Sequence, residues 1–426
     1  MTPYPQYKDS QIPWLGEIPS HWQTDKISQL FSERREKCSD KEFQPLSVSK
    51  TGVTPQIDTA VKTDNGDNRK KVCLGDFVVN SRSDRKGSCG VSALDGSVSL
   101  INIVLQSRGI LNKEYVHFLL RSHYYVEEYY RWGRGIVADL WTTRYSEMKN
   151  IQLPVPPLPE QEKIVSYLES KTLSIDAYVA ERERELRLLN ELKEAEIANV
   201  VTRGLNPDVK MKDSGIPWIG MIPEHWQIKQ LRAFLKLFSV KGHGDAQLLS
   251  VTREQGVILR DKDNKEENHN FVPEDLSGYK YVEKGDFVIN KMKAWQGSYA
   301  VSKYDGIVSP AYFTCKLCGV DKDFFSLAIR SKAYVGFFTS YSKGIRVGQW
   351  DLDPNALKSI PFFLPPQNEQ RAIVAYIEDK CAKVNTLITE LEAEIDYLKE
   401  YKQRLIADCV TGQVNVQNVN NKTNVI

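Results

Sequence analysis

The sequence predicts an α+β chain built twice: two globular, strand-rich domains, each followed by a long helix. The two helices are expected to pair as an antiparallel coiled coil with pseudo-twofold symmetry. Three observations predict this. The 426 residues repeat themselves at offsets between 203 and 210. Each repeat opens on short strand signals bounded by Gly and Asp. Each closes on an unbroken helical run that starts just after a proline stretch.

The repeat comes first because it sets the organisation. Residues 8–23 read KDSQIPWLGEIPSHWQ and residues 212–227 read KDSGIPWIGMIPEHWQ, identical at twelve of sixteen positions. Further matches follow in the same order. Leu46-Ser47-Val48 corresponds to Leu249-Ser250-Val251, and the run Gly75 to Asn80 (GDFVVN) to Gly285 to Asn290 (GDFVIN). Gly135 and Trp141 correspond to Gly344 and Trp350. Pro156-Pro157 with Glu160-Gln161 corresponds to Pro365-Pro366 with Glu369-Gln370, and TRGLN at 202–206 to TGQVN at 411–415. Such a period is too long for a solenoid unit, so a whole domain and its connector are duplicated.

Within each copy, GDFV(V/I)N reads as a turn followed by a strand, because aromatic and β-branched residues suit a pleat. Further strands are expected at 97–105 and 307–317, and helical stretches near 114–130 and 322–340. A glycine loop and a proline stretch (154–159, 361–366) follow, and the prolines stop any helix. Long helices are then expected over 160–201 and 369–410. The second carries apolar residues alternating by three and four: Val384, Ile388, Leu391, Ile395, Leu398, Leu405 and Cys409, with Lys402 in the seam. The first seam (Ile175, Val179, Arg182, Leu186, Leu189, Lys193, Glu196, Val200) is less regular. Residues 167–201 make a rod of about 52 Å, and a lone helix of this kind needs a partner. The expected domains are 1–158, 207–367, the spacer helices 159–206 and 368–412, and a flexible tail 413–426.

Composition narrows the function. Lys+Arg number 57 against 55 Asp+Glu, so the chain does not coat nucleic acid by bulk charge, although local patches remain possible. Seven dispersed cysteines suit reduced thiols in a cytoplasmic protein. Cys315 and Cys318 form a single CxxC with no second pair at zinc spacing, and the six histidines are scattered, so no metal site is expected. No apolar run is long enough for a membrane span. MTPYPQYKDS has neither the basic nor the apolar stretch of a secretory signal. There is no GxxxxGK[ST] and no GxGxxG before a helix. No Asn/Asp-Pro-Pro-aromatic run is present either, and no paired carboxylates stand out, so the chain offers a reader without obvious chemistry.

Positive charge is local. Residues 60–90 hold seven Lys/Arg against four Asp, and residues 279–303 hold five Lys against Glu283 and Asp286. Each window is net +3, and the two are equivalent in the repeat. The first supplies Arg69, Lys70, Lys71, Ser81, Arg82, Arg85 and Lys86; the second supplies Lys291, Lys293, Trp295 and Gln296. Arg and Lys bond guanine edges or phosphate and Gln bonds adenine, so these are candidate nucleic-acid contacts. The scaffold is shared while the loop contents differ, as two readers of different sequences require. The glycine loops add Arg134 in one copy and Lys343 and Arg346 in the other. Trp141 and Trp350 read as core or hinge aromatics, and His21-Trp22 and His225-Trp226 as packed residues of the opening segment.

The doubled KDSxIPWxGxIPxHW segment, the doubled GDFV(V/I)N strand, KMKAWQGS at 291–298 and the doubled PPxxEQ before a long helix resemble the specificity subunit of type I restriction-modification enzymes. The resemblance spans about residues 7–415. It implies two target recognition domains, each reading one half of a bipartite asymmetric site in double-stranded DNA, with the coiled coil setting the gap. It implies a noncatalytic chain that works with two modification (methyltransferase) subunits and with restriction/translocase subunits. S-adenosylmethionine, ATP and Mg²⁺ are then expected on those partners and no cofactor in this chain. Two other readings remain open at this level: a self-sufficient DNA methyltransferase or nuclease with unrecognised motifs, and a duplicated coiled-coil adaptor that binds only proteins.

Overall fold

The computed structural model describes residues 3–57, 66–135, 141–261, 273–344 and 350–417. The chain divides into two compact units, Met1–Glu183 with Ala393–Ile426, and Arg184–Glu392. Each unit therefore holds one globular part and a segment of both long helices, whereas the sequence placed the boundaries at the helix ends.

In the first unit a four-stranded antiparallel sheet runs Cys89–Val91, Phe77–Asn80, Asn102–Ser107, Phe31–Glu33. Beside it lie the sheet Gly96–Val98, Arg69–Val72, Lys37–Cys38 and the hairpin Leu46–Ser49 with Gly52–Pro55. The second unit repeats this order with Tyr299–Val301, Phe287–Asn290, Tyr312–Leu317 and Leu235–Phe238, and with the hairpin Leu249–Thr252 and Gly256–Leu259. In both units a late strand (Gln152–Val155, Pro361–Leu364) pairs with an early one (Gln23–Lys26, Gln227–Gln230) just before the long helix.

The GDFV motif builds the turn into the central strand. Gly75 and Gly285 have φ of 88° and 92°, where a side chain would be strained. Asp76 accepts the Cys73 N–H at 2.8 Å, and Asp286 accepts the Glu283 N–H at 2.8 Å. Each buried carboxylate also meets a cation: Arg34 Nε lies 2.7 Å from Asp76, and Lys316 Nζ lies 3.0 Å from Asp286.

The expected strands at 97–105 and 307–317 are each two strands in different sheets, because the chain turns between them. Asn102 N–H donates to Ser99 O, and Tyr312 N–H to Ser309 O, both at 3.0 Å. The expected single helices are likewise pairs, Lys113–Leu119 with His123–Arg131 and Lys322–Arg330 with Lys332–Tyr341. Ser122 ends the first of these and caps the second: its hydroxyl donates to Leu119 O and accepts from Tyr125 N–H.

The long helices run Leu158–Arg203 and Gln367–Val410. Within the first unit they are bonded in opposite chain directions, Asp176 to Lys402 at 2.6 Å and Glu183 to Lys399 at 2.9 Å. Within the second, Lys193 meets Asn385 at 2.6 Å and Glu196 meets Tyr376 at 2.7 Å. Both seam lysines thus find an oxygen on the facing helix. Ile175, Val179, Ile395, Leu405 and Cys409 are buried in the first unit, and Val200 and Leu391 in the second. No helix of the described residues is long and apolar enough to cross a membrane.

Candidate nucleic-acid interface

The opening segment and PPxxEQ explain each other structurally. Glu160 accepts from His21 at 2.8 Å and from the Tyr4 hydroxyl; Glu369 accepts from His225 at 2.8 Å and from Trp226 Nε1 at 3.1 Å. Gln161 accepts the Asn112 N–H at 2.7 Å and donates to Pro156 O at 2.8 Å. Gln370 does the same with Asp321 N–H at 2.9 Å and Pro365 O at 2.8 Å. These buried amides tie the start of each long helix to the cap of a globular-domain helix. Trp22 and Trp226 are fully buried, so this segment is a frame.

On that frame the candidate loops come together. In the first unit the central strand ends at Asn80, and a short helical turn, Ser83–Arg85, follows. Thr143 N–H donates to Ser81 O at 3.0 Å, while Thr142 exchanges two main-chain bonds with Arg134 at 3.2 and 3.0 Å. Thr142 also forms a bridge with Arg82. The segment after Trp141 therefore lies between the two predicted loops and places Arg82 and Arg134, both exposed, along one edge.

The second unit repeats the junction. Leu352 N–H donates to Lys291 O at 3.1 Å, and Asp351–Leu352 pairs with Ser342–Lys343. Lys291 Nζ lies 2.9 Å from Asp351 Oδ2. The rings of Trp295 and Trp350 are 5.1 Å apart, and both are half-buried. Lys293 and Lys343 are exposed and Gln296 is half-buried. Thr142 and Asp351 were not legible as junction residues in the sequence; their signal was the paired tryptophan just before each.

Not every predicted contact faces outward. Arg69 is 5% exposed; its Nε donates to Ser97 Oγ and its Nη2 to Ser97 O, both at 2.9 Å. Burial pulls its pKa below the usual guanidinium value. Lys70 Nζ donates to Asn102 O at 2.7 Å, and its counterpart Lys280 donates to Tyr312 O at 2.6 Å. Burial lowers both ammonium pKa values. Lys71 holds Glu36 at 2.8 Å and lies 5.0 Å over the Phe43 ring. These three side chains brace the sheet, because the strand carrying them is covered on both sides. Ser81 is buried, with its hydroxyl on Ile101 O. Arg85 is exposed beside Asp84, and Lys86 pairs with Glu127 at 2.7 Å under the Tyr130 ring. Arg346 lies outside the described residues.

One titrating group lies on the helix Lys113–Leu119. Arg121 Nη1 lies 2.6 Å from His117 Nε2, and a guanidinium only donates, so that nitrogen must accept and the imidazole is neutral. Burial first, then Arg121, push the His117 pKa from 6.5 to about 4. The unfolded chain therefore takes up this proton first as the pH falls. Stability from neutral His117 is full above about 6.5 and lost progressively toward about 4. Urea unfolding between those pH values should show the loss in the wild type and a smaller one in His117→Gln, whose amide oxygen still accepts from Arg121.

Among the described residues no group of three or more His, Cys, Asp and Glu could hold a metal ion. Cys315 is buried, which pushes its thiol up to about 12, and Cys318 is exposed.

No family model matches the chain. It is 24% identical over 291 residues to the type I restriction enzyme MjaVIII specificity subunit of Methanocaldococcus jannaschii, covering 64% of each chain. It is 21% identical over 442 residues to the StySPI specificity subunit of Salmonella potsdam, covering 94% of this chain and 91% of that one. A solved chain from work on complex assembly and conformational transition of the type I R-M system superposes with a TM-score of 0.65 at 14% identity. That match covers 93% of this chain and 99% of the other. Along nearly its whole length the chain is similar in sequence to specificity subunits of type I restriction enzymes, and in fold to a solved chain of a type I R-M system.

Proposed function

We propose that the chain is the noncatalytic DNA-specificity subunit of a type I restriction-modification complex, acting on double-stranded DNA in the cytoplasm. One observation carries the reading: in each unit the segment after the equivalent tryptophan draws the loop after the central strand and the glycine loop onto one edge, and the side chains there differ. Arg82, Arg85, Lys86 and Arg134 face one half-site; Lys291, Lys293, Trp295, Gln296 and Lys343 face the other. Different donors on one scaffold read different bases, and the shared cations hold phosphate. The long helices pair antiparallel as a coiled coil and set the gap between the halves. Two modification subunits dock on the duplicated frame, one per copy. Restriction subunits join them, and S-adenosylmethionine, ATP and Mg²⁺ belong to those partners, which would carry the adenine methylation and DNA cleavage.

Mapping methylated sites in a genome that carries this chain and its modification subunit tests the reading, and a bipartite asymmetric site is expected. Arg82→Ala or Arg134→Ala should relax one half only, and Lys293→Ala or Gln296→Ala the other. A direct base contact should cost roughly 1–3 kcal/mol at one position. Equal loss in both halves would end the assignment of one unit to one half. Inserting seven residues into each helix should widen the gap by ~10 Å, or ~3 base pairs. An unchanged gap would remove the spacer role.

A further inference from the structure

Each unit also clamps the tip of a hairpin with an arginine, at equivalent positions of the repeat. In the second unit the hairpin Leu249–Thr252 and Gly256–Leu259 turns through Arg253 and Glu254. Arg330, at the end of helix Lys322–Arg330, donates from Nη2 to Arg253 O at 3.0 Å and to Glu254 O at 2.7 Å. Gly256 has φ of +75° and lies against this guanidinium: a Cβ there would fall 2.1 Å from Nη1. In the first unit Arg121 Nη2 donates to Lys50 O at 2.6 Å, at the tip of the corresponding hairpin. Among the described residues the partly buried Arg330 guanidinium bonds carbonyls, and Arg121 bonds a carbonyl and His117, so neither gains a carboxylate to offset its desolvation. Two such clamps indicate that the tips must be held in place.

The clamped tip of the second unit borders a cleft of about 1020 Å³. Arg253, Gln255, Gln296, Lys303 and Arg330 help to line it. Its lining holds five cations (Lys193 and Lys332 being the others) against Glu194 and Glu254, an excess of three. Lys332 is paired with Glu194 at 2.6 Å. Arg253 and Lys303 are exposed, and their side chains bond to nothing among the described residues. The tip also touches the reading loop: a Cβ on Gly297 would lie 3.9 Å from Arg253 Cγ. Uncompensated charge spread over hairpin tip, turn and helix end, in a space far larger than one phosphate, matches a polyanion.

We propose that this cleft seats the phosphate backbone of the DNA next to the bases met by Lys293 and Gln296. Arg253 and Lys303 are its phosphate contacts, and Arg330 is the positioning residue that fixes the hairpin tip. The inference rests on the specificity reading above and extends it to residues outside the reading loops.

The test uses the full chain with the subunits that co-purify with it. Affinity for a labelled duplex of random sequence is measured by anisotropy between about 50 and 200 mM salt. Arg253→Gln and Lys303→Gln should each lower the slope of log K against log salt by ~0.9 and weaken all sequences alike. Arg330→Lys keeps the charge but loses the fork. It should lower the slope by nearly as much, and adding Arg253→Gln to it should change little more. An unchanged slope in both exposed variants, Arg253→Gln and Lys303→Gln, overturns the cleft, whatever Lys293→Gln does. If Lys293→Gln still lowers the slope, the specificity reading survives that loss, and the cleft is left to an acidic protein surface. A wild-type complex with no salt-dependent DNA affinity overturns both.

Discussion

Phe362→Ala is expected to destabilise the second unit by about 3–5 kcal/mol, the range for truncating a buried aromatic. Phe362 has no exposed surface, and its ring lies 5.3 Å from Phe234, 5.2 Å from Phe325 and 5.5 Å from Tyr334. Its strand, Pro361–Leu364, pairs with Gln227–Gln230 and leads directly into the second long helix. Truncation would therefore empty the point where the opening segment, the two short helices and the long-helix root meet. Collapse around the gap is limited because the neighbours are rigid rings. The corresponding residue of the first copy is Leu153, also fully buried, so Phe362→Leu should cost clearly less than Phe362→Ala. Urea unfolding of the full chain measures both. A loss below about 1 kcal/mol for the alanine variant would show that the site repacks.

Asp76→Ala is expected to cost about 3–5 kcal/mol in the first unit, because it breaks a buried ion pair from one side. Asp76 is 3% exposed and accepts from Arg34 Nε at 2.7 Å and Nη2 at 3.1 Å. It also accepts the Cys73 N–H that closes the turn. Without it, among the described residues the Arg34 side chain, 17% exposed, keeps only Glu36 at 3.9 Å. The matching Asp286→Ala should cost less, since Lys316 keeps Glu283 at 2.7 Å. Unfolding of the two variants side by side checks this, and equal losses would show that the turn bond dominates the charge. Asp76→Ala should also blunt reading of its own half-site, because the strand it anchors carries Arg82 at its end.

The duplication, the alternation of strands and helices and the long helices were legible because each is a local pattern. A proline stretch stops one element, a glutamate opens the next, and a 3.5-residue seam repeats along one face. The candidate loops were legible as charge, but charge alone does not say which side chains point outward. Arg69 and Lys70 sit in a basic window, and their partners, Ser97 and the Asn102 carbonyl, lie 28 and 32 residues away. Only pairing of Arg69–Val72 with strands on both sides buries these cations and turns them into braces. The breaks at Ser99–Ile101 and at Ser122 were missed for a similar reason. A few local hydrogen bonds close them, in stretches whose composition suits a longer strand or helix.

By itself the sequence determined that the chain is written twice, that each copy ends in a long helix, and that the basic loops differ where the scaffold agrees. Tertiary structure decided which cations remain at the surface, that Thr142 and Asp351 join two distant loops into one edge, and that Arg121 and Arg330 hold the hairpin tips. The division has a physical cause. Periodicity and turn chemistry are set by neighbours along the chain, whereas burial and main-chain bridging are set by neighbours across a fold.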